Sequence, residues 1–275
     1  MYRSMLSITG ILLGAALSSH VFAVTGLTAD EIMKKSNEVQ GGHDSISRLS
    51  FNFQKTKGVD KKLVYTMVWK EYSGRNDVND KMIFFSEYPP ADKGKSFMIW
   101  IYDNKKPDEW MYLPELRMVR KVTHSEHHGH HDEEDDFAHS VLTQVDLVPR
   151  NPGADNHTLL KDDELEGHAD YVVESVPKVV SKNYPYQKTL RWITQDNYLP
   201  ERIDYYGMEG GLVKRQTIKW KKIGDDWVWE QVVGEDLITH ERTVLDISNI
   251  KLNNGFKDET FSARTMRLGK DSIIQ

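Results

Sequence analysis

The stretch GKSFMIWIYDNKKPDEWMYLPELRMVRKV, Gly94 to Val122, decides how the chain is read. It gathers Phe97, Met98, Trp100, Tyr102, Trp110, Met111 and Tyr112 into two short apolar runs. Asp103-Asn104-Lys105-Lys106-Pro107-Asp108 between them is turn chemistry, so the stretch predicts a β-hairpin. Large apolar groups stand on both faces of both runs. Both faces therefore need a cover, either packed core or a bound apolar ligand.

Working outward from the hairpin, the preceding segments also read as strands. Leu49, Phe51 and Phe53 alternate with Ser50, Asn52 and Gln54, the period of a strand with one wet face. A turn at Lys57-Gly58 leads to a strand over Leu63 to Tyr72, with Leu63, Tyr65, Met67 and Trp69 on one face. A third strand covers Lys81 to Ser86 and ends at Pro89-Pro90. Ahead of all three, Thr28-Ala29-Asp30-Glu31 has the capping-box form and predicts a helix to about Val39, ended by Gly41-Gly42.

Beyond the hairpin, His124 to His131 run into the carboxylates of Asp132 to Asp136. Residues 124–136 have almost nothing apolar to bury, which predicts a flexible insert. Phe137, Val141 and Val145 recur at four-residue spacing, so a short helix is expected after Asp136, whose carboxylate suits an N-cap. From Leu159 onward, strands are predicted over Tyr171–Val176, Thr189–Thr194, Arg202–Tyr206, Leu212–Lys221, Trp227–Val233 and Thr243–Leu252. Short turns such as Asp196-Asn197 and Gly210-Gly211 make them an antiparallel meander. Roughly ten or eleven strands exceed what a flat open sheet carries without curling. The expected fold is mainly β: a strongly curved antiparallel sheet, a partial barrel, with two helical segments closing its concave side.

Composition narrows the function. Arg3, the apolar run Met5 to Leu17 and Val21-Phe22-Ala23 together read as a signal peptide over residues 1–23. The expectation is a soluble, exported, periplasmic protein of one domain over residues 24–275. There is no cysteine in the 275 residues, hence no disulfide framework and no thiol for lipid attachment. A net charge of −6 argues against nucleic acid, which asks for a basic face. Seven tryptophans and twelve tyrosines favour strands and also make good linings for apolar ligands. No Gly-x-Ser-x-Gly elbow, phosphate loop or His-Glu-x-x-His pair occurs, so no enzyme is expected.

Four landmarks in order resemble the outer-membrane lipoprotein-sorting (LolA-like) proteins of Gram-negative bacteria. They are Trp110-Met-Tyr-Leu-Pro114 with the basic run to Lys121, Asp136-Phe137, Asn197-Tyr-Leu-Pro200, and Arg242-Thr-Val-Leu245. The resemblance covers nearly the whole chain after the signal peptide. It implies an unclosed LolA/LolB-like half-barrel with a helical lid over a cavity for acyl chains. The branch it resembles is associated with RND-type (MMPL-like) exporters of the inner membrane. The implied partners are therefore a lipoprotein or other lipid cargo, such an exporter, and an outer-membrane acceptor. The segment before Asp-Phe is usually short in that family, and the histidine and carboxylate tract departs from it.

Three groups of residues are candidate sites. On the hairpin, Met98, Trp100, Trp110 and Tyr112, with Tyr65, Met67 and Trp69 of the earlier strand, are the expected acyl-chain contacts; the plainer reading is packed core. A one-residue change of register would turn them all to the other face. Arg117, Arg120 and Lys121 could meet lipid phosphates or an acidic partner, or simply form a polar strand face. His124, His127, His128, His130 and His131 offer imidazoles suited to zinc, copper or nickel. Their close spacing does not define one tetrahedral site; the plainer reading is a solvated loop, and a pH sensor is a third. No cofactor is required by the carrier reading, and a periplasmic metal-binding or metal-sensing protein is the alternative.

Overall fold

The structure, a computed structural model, describes residues 26–39, 41–72, 77–102, 105–122, 140–148, 150–181 and 184–273. The expected signal peptide and the insert at 124–136 lie outside these residues. The first half of the chain is a meander of β1 (Asp44–Gln54), β2 (Lys61–Glu71), β3 (Val78–Tyr88), β4 (Ser96–Tyr102), β5 (Asp108–Leu113) and β6 (Met118–Val122). The second half is another: β7 (Asp155–Leu165), β8 (His168–Pro177), β9 (Tyr186–Thr194), β10 (Pro200–Gly207), β11 (Leu212–Ile223), β12 (Asp226–Asp236) and β13 (Arg242–Leu252). All pairs are antiparallel, and β1 joins β13, with Phe51 opposite Leu245, to make one sheet of 13 strands. The order runs from β6 at one edge to β7 at the other, and these edges do not pair.

The expected hairpin is β4–β5, with Met98 opposite Trp110 and Ser96 opposite Tyr112. Two strands exceed the expected count. One is β6, formed by the basic run itself, and the other is β7, whose exposed side chains blur the alternation.

The sheet is strongly curved. Ile99 and Ile101 of β4 and Pro200 and Ile203 of β10 line one cavity, although seven inter-strand steps separate these strands. On a flat sheet that separation would be roughly 34 Å at ~4.8 Å per step. Curling brings them face to face.

Two helices sit on the concave side. α1 (Ala29–Asn37) begins with the predicted capping box: Thr28 Oγ1 accepts from the Glu31 N–H at 3.3 Å, and Glu31 Oε2 accepts from the Thr28 N–H at 2.7 Å. Its Ile32 and Met33 pack on Tyr171, Val173 and Ile193 of β8 and β9. α2 (Gln144–Leu147) starts later than the four-residue spacing suggests. Ser140 to Thr143 are not helical because their polar groups bond elsewhere. The Val141 N–H donates to Thr243 Oγ1 at 2.9 Å, and the Leu142 N–H to Ser140 Oγ at 3.0 Å. The cap is a Thr143/Asp146 pair, Asp146 Oδ2 accepting from the Thr143 N–H and hydroxyl, both at 2.8 Å.

Between these polar anchors, Leu142 is fully buried against Gly234. A Cβ at position 234 would lie 2.6 Å from Leu142 Cδ2, so only glycine lets the crossing segment lie this close to β12.

The convex side has a cover that the sequence reading lacks. Residues after β13 turn back beneath β2 to β6, ending in α3 (Ala263–Leu268). Phe256, Phe261, Met266 and Ile273 pack there against Val68, Ile83, Phe85 and Met98. Farther along this face Asp204 accepts from Arg202 and Arg215, hydrogen bonds that hold its carboxyl below the usual range against the opposing effect of burial.

Two predictions follow from this packing. Gly234→Val is expected to cost about 1–3 kcal/mol by overpacking, and Leu142→Ala about 2–5 kcal/mol by leaving a cavity. The double variant should lose clearly less than their sum, read by urea denaturation, because both changes act on one contact. Strict additivity would contradict the contact.

The second concerns Asp170, which is fully buried and makes no ion pair among the described residues. Burial, then the Glu201 carboxylate, raise its pKa from 3.8 to about 6. The folded state thus favours the neutral acid, and stability is full below pH 3.8 and falls as pH rises through about 6. Asp170→Asn should therefore be more stable than the parent by about 1–3 kcal/mol at pH 7.5. The gap should close near pH 4; a gap that does not vary with pH contradicts the assignment.

Candidate ligand cavity

Strand alternation places one set of side chains from each strand on the concave face. Register fixes which set. Met67 stands opposite Ser47 and Phe84, and Trp69 opposite Ser45 and Met82. Met82 in turn stands opposite Ile99, and Phe84 opposite Phe97. On the far side of the curl, Ile218 faces Val232 and Val232 faces Leu245, which faces Phe51. Together with Trp220 and Trp229, whose rings meet edge-on at 6.2 Å, these groups leave a cavity of about 390 Å³. Met33 of α1 and Val145, Leu147 and Val148 at α2 form its other wall. The volume falls in the lower part of the range for small-molecule sites, roughly 300–1,000 Å³.

The cavity has one polar wall. Asp146, Arg150, Arg191, Tyr184, Tyr205 and Gln216 all line it. Asp146 is neutralised by Lys214 Nζ at 2.8 Å and accepts from the Tyr186 hydroxyl at 2.8 Å. Arg150 Nε lies 2.9 and 3.0 Å from the two oxygens of the buried Asp155, with its guanidinium over the Tyr184 ring at 4.1 Å. The Tyr205 hydroxyl donates to Gln216 Oε1. Burial raises the Tyr184, Tyr186 and Tyr205 hydroxyls above their ordinary pKa, so all three remain protonated donors. On the β3 side, Trp69 Nε1 donates to Asp80 Oδ1 at 2.8 Å.

The candidate residues read from the sequence divide between the two faces. Met67 and Trp69 line the cavity. Tyr65 is on the same face but packs among aromatic rings, with Phe51, Phe84 and Phe97 at 6.3, 6.4 and 6.3 Å. Met98, Trp100, Trp110 and Tyr112 lie on the opposite face, under the C-terminal segment. This corrects their expected placement. The hairpin's register sets Met98 beside Ile83, and the side chains that reach the cavity from β4 are Ile99 and Ile101. Trp100 and Trp110 pack on each other instead, centroids 5.2 Å apart.

Arg117, Arg120 and Lys121 are exposed at the β6 edge, Lys121 in an ion pair with Asp108. The histidines at 124, 127, 128, 130 and 131 lie outside the described residues. Among the described residues no three His, Asp or Glu side chains come together as metal ligands.

Sequence reasoning missed Met82, Ile99, Ile101, Trp220, Trp227 and Trp229 as cavity residues. In β4 both alternating sets are apolar, so nothing in the strand itself distinguishes them.

A family model described as an uncharacterized protein matches residues 78–268. The chain belongs to that family. A DUF1329 family protein from Desulfovibrio piger is similar in structure, with a TM-score of 0.74 and 22% identity over 86% of this chain and 97% of that one. A putative outer membrane lipoprotein-sorting protein domain from Vibrio parahaemolyticus gives 0.71 and 22% over 87% and 98%. A LolA superfamily protein from Nitrosomonas europaea gives 0.60 and 21% over 87% and 99%. No curated protein matches the chain. At these identities the likeness establishes the fold, an unclosed LolA-like half-barrel.

Four of the seven tryptophans, Trp69, Trp220, Trp227 and Trp229, line the cavity of this LolA-like protein. A ligand that fills it is expected to displace water from their rings and shift the fluorescence emission to the blue. Trp69→Phe and Trp229→Phe should each reduce the shift, whereas Trp110→Phe should leave it intact. A shift that disappears only in the Trp110 variant would place the ligand on the other face.

Proposed function

We propose that this protein is a periplasmic carrier that takes the acyl chain of a lipoprotein or other lipid into the concave cavity. It would move that cargo from an inner-membrane exporter of the RND/MMPL type to the outer membrane. The observation that carries the reading is the apolar cavity between the curved sheet and the two helices. Each Å² of chain surface buried there gains roughly 25 cal/mol, so a chain is held without specific polar contacts along its length. Met33, Met67 and Met82 line it, and their unbranched side chains adapt to different chain shapes. A volume of about 390 Å³ suits one chain better than a whole multi-chain anchor.

The reading needs no covalent step, nucleotide or metal. Loading and release would follow movement of α2, which is one turn long and is anchored by the polar contacts of Asp146. Direction would come from differences in affinity among donor, carrier and acceptor.

Native mass spectrometry of protein prepared from periplasm without detergent tests the proposal. A stoichiometric lipid or acylated peptide is expected. It should be lost in Met67→Glu and Ile101→Glu, and kept in Trp110→Ala, with all three variants showing the parent's far-ultraviolet spectrum. An empty parent protein, or cargo kept in both glutamate variants, would overturn the carrier reading.

A further inference from the structure

The charges that line the cavity are not balanced on its polar wall. Asp146 is matched by Lys214 and Arg150 by Asp155. Arg191, on β9 between them, is not matched. Its Nη1 donates to the neutral Ser175 hydroxyl at 3.2 Å, and among the described residues no carboxylate lies within ion-pair distance of it. The side chain is half-buried and belongs to the cavity lining. Its positive field reaches the Tyr184 and Tyr205 hydroxyls, where it opposes the effect of burial.

A guanidinium partly withdrawn from water without a counter-ion is costly unless an anion completes it. Guanidinium is also weakly hydrated and offers a planar fork that accepts two oxygens of one anionic group. Along the same wall Tyr184, 8% exposed and held protonated by burial, is a neutral donor nearby. The apolar groups of β2, β3 and β4 lie across the curl from this wall. The remaining charged lining residue, Asp80, is on that other side, where Trp69 donates to it.

We propose that the cavity selects amphiphiles with one anionic headgroup, a carboxylate or a phosphate ester, and that Arg191 is the anchor for it. The tail runs from Arg191 past Ile203 and Ile218 toward Met67, Met82 and Ile99. This rests on the carrier reading above and adds to it the polarity and direction of the ligand. An uncharged lipid would leave the Arg191 guanidinium without its partner.

Titration calorimetry at pH 7.5 with hexadecanoate, hexadecyl phosphate and hexadecanol, each below its aggregation concentration, tests the inference. The parent protein should bind at least one of the anions tenfold or more tightly than the alcohol. Hexadecanoate as the tighter anion assigns a carboxylate headgroup, and hexadecyl phosphate a phosphate ester. Arg191→Gln should lose that preference while binding hexadecanol as the parent does, and Arg191→Lys should keep most of it. Equal affinity of the parent for all three ligands overturns the anchor and leaves the carrier reading standing, as does an unchanged preference in Arg191→Gln. Failure of all three to bind overturns both.

Discussion

The Asp146 carboxylate holds the segment ahead of β7 against the inside of the curl. Its side chain is fully buried, and it receives hydrogen bonds from Tyr186, Lys214 and the Thr143 cap. Those partners belong to β9, β11 and the residue before α2, so a single acidic group ties the segment ahead of β7 to the inside of the curl. Removing a buried charge's partner costs far more than the pair gains over apolar packing. Position is what this network supplies: α2 is set down on the sheet at one place, with Leu142 against Gly234 on one side and the cavity on the other.

From that constraint the cavity follows. Thirteen antiparallel strands curl because each twists relative to its neighbour, and the curl turns the concave face into a trough. Aromatic packing of Phe51, Tyr65, Phe84 and Phe97 fills part of that trough. α1 closes the part over β8 and β9. What remains between α2 and the strands from β1 to β4 and β10 to β13 is space that no side chain fills. The convex face, by contrast, is covered over β2 to β6 by the chain's own C-terminal segment, and Trp100 and Trp110 pack beneath it.

The fold was largely legible in the sequence, because turn residues and two-residue alternation both mark strands and both are abundant here. The capping box at Thr28 and the antiparallel pairing of β4 with β5 appear as read. The site was legible only in part. Met67 and Trp69 alternate with Val68 and Lys70, and larger side chains on one face gave the right side. In β4 the sets Met98/Trp100 and Ile99/Ile101 are equally apolar, since one face is covered by α3 and the other meets the cavity. Only the tertiary position of residues 256–273 separates them, and nothing local to the hairpin encodes it. Arg191 was invisible for a related reason. A basic residue in an alternating strand reads as solvated until its neighbours are known, and here the neighbours are Tyr184, Tyr205 and Ser175.

Ligand is expected on the concave face and not on the face beneath the C-terminal segment. Photocrosslinking with a diazirine-bearing fatty acid, followed by peptide mapping, addresses it most directly. Labels on Met67, Met82, Ile99 or Trp229 are the predicted result. Labels confined to Trp100, Trp110 or Phe261 would place the ligand on the convex face instead.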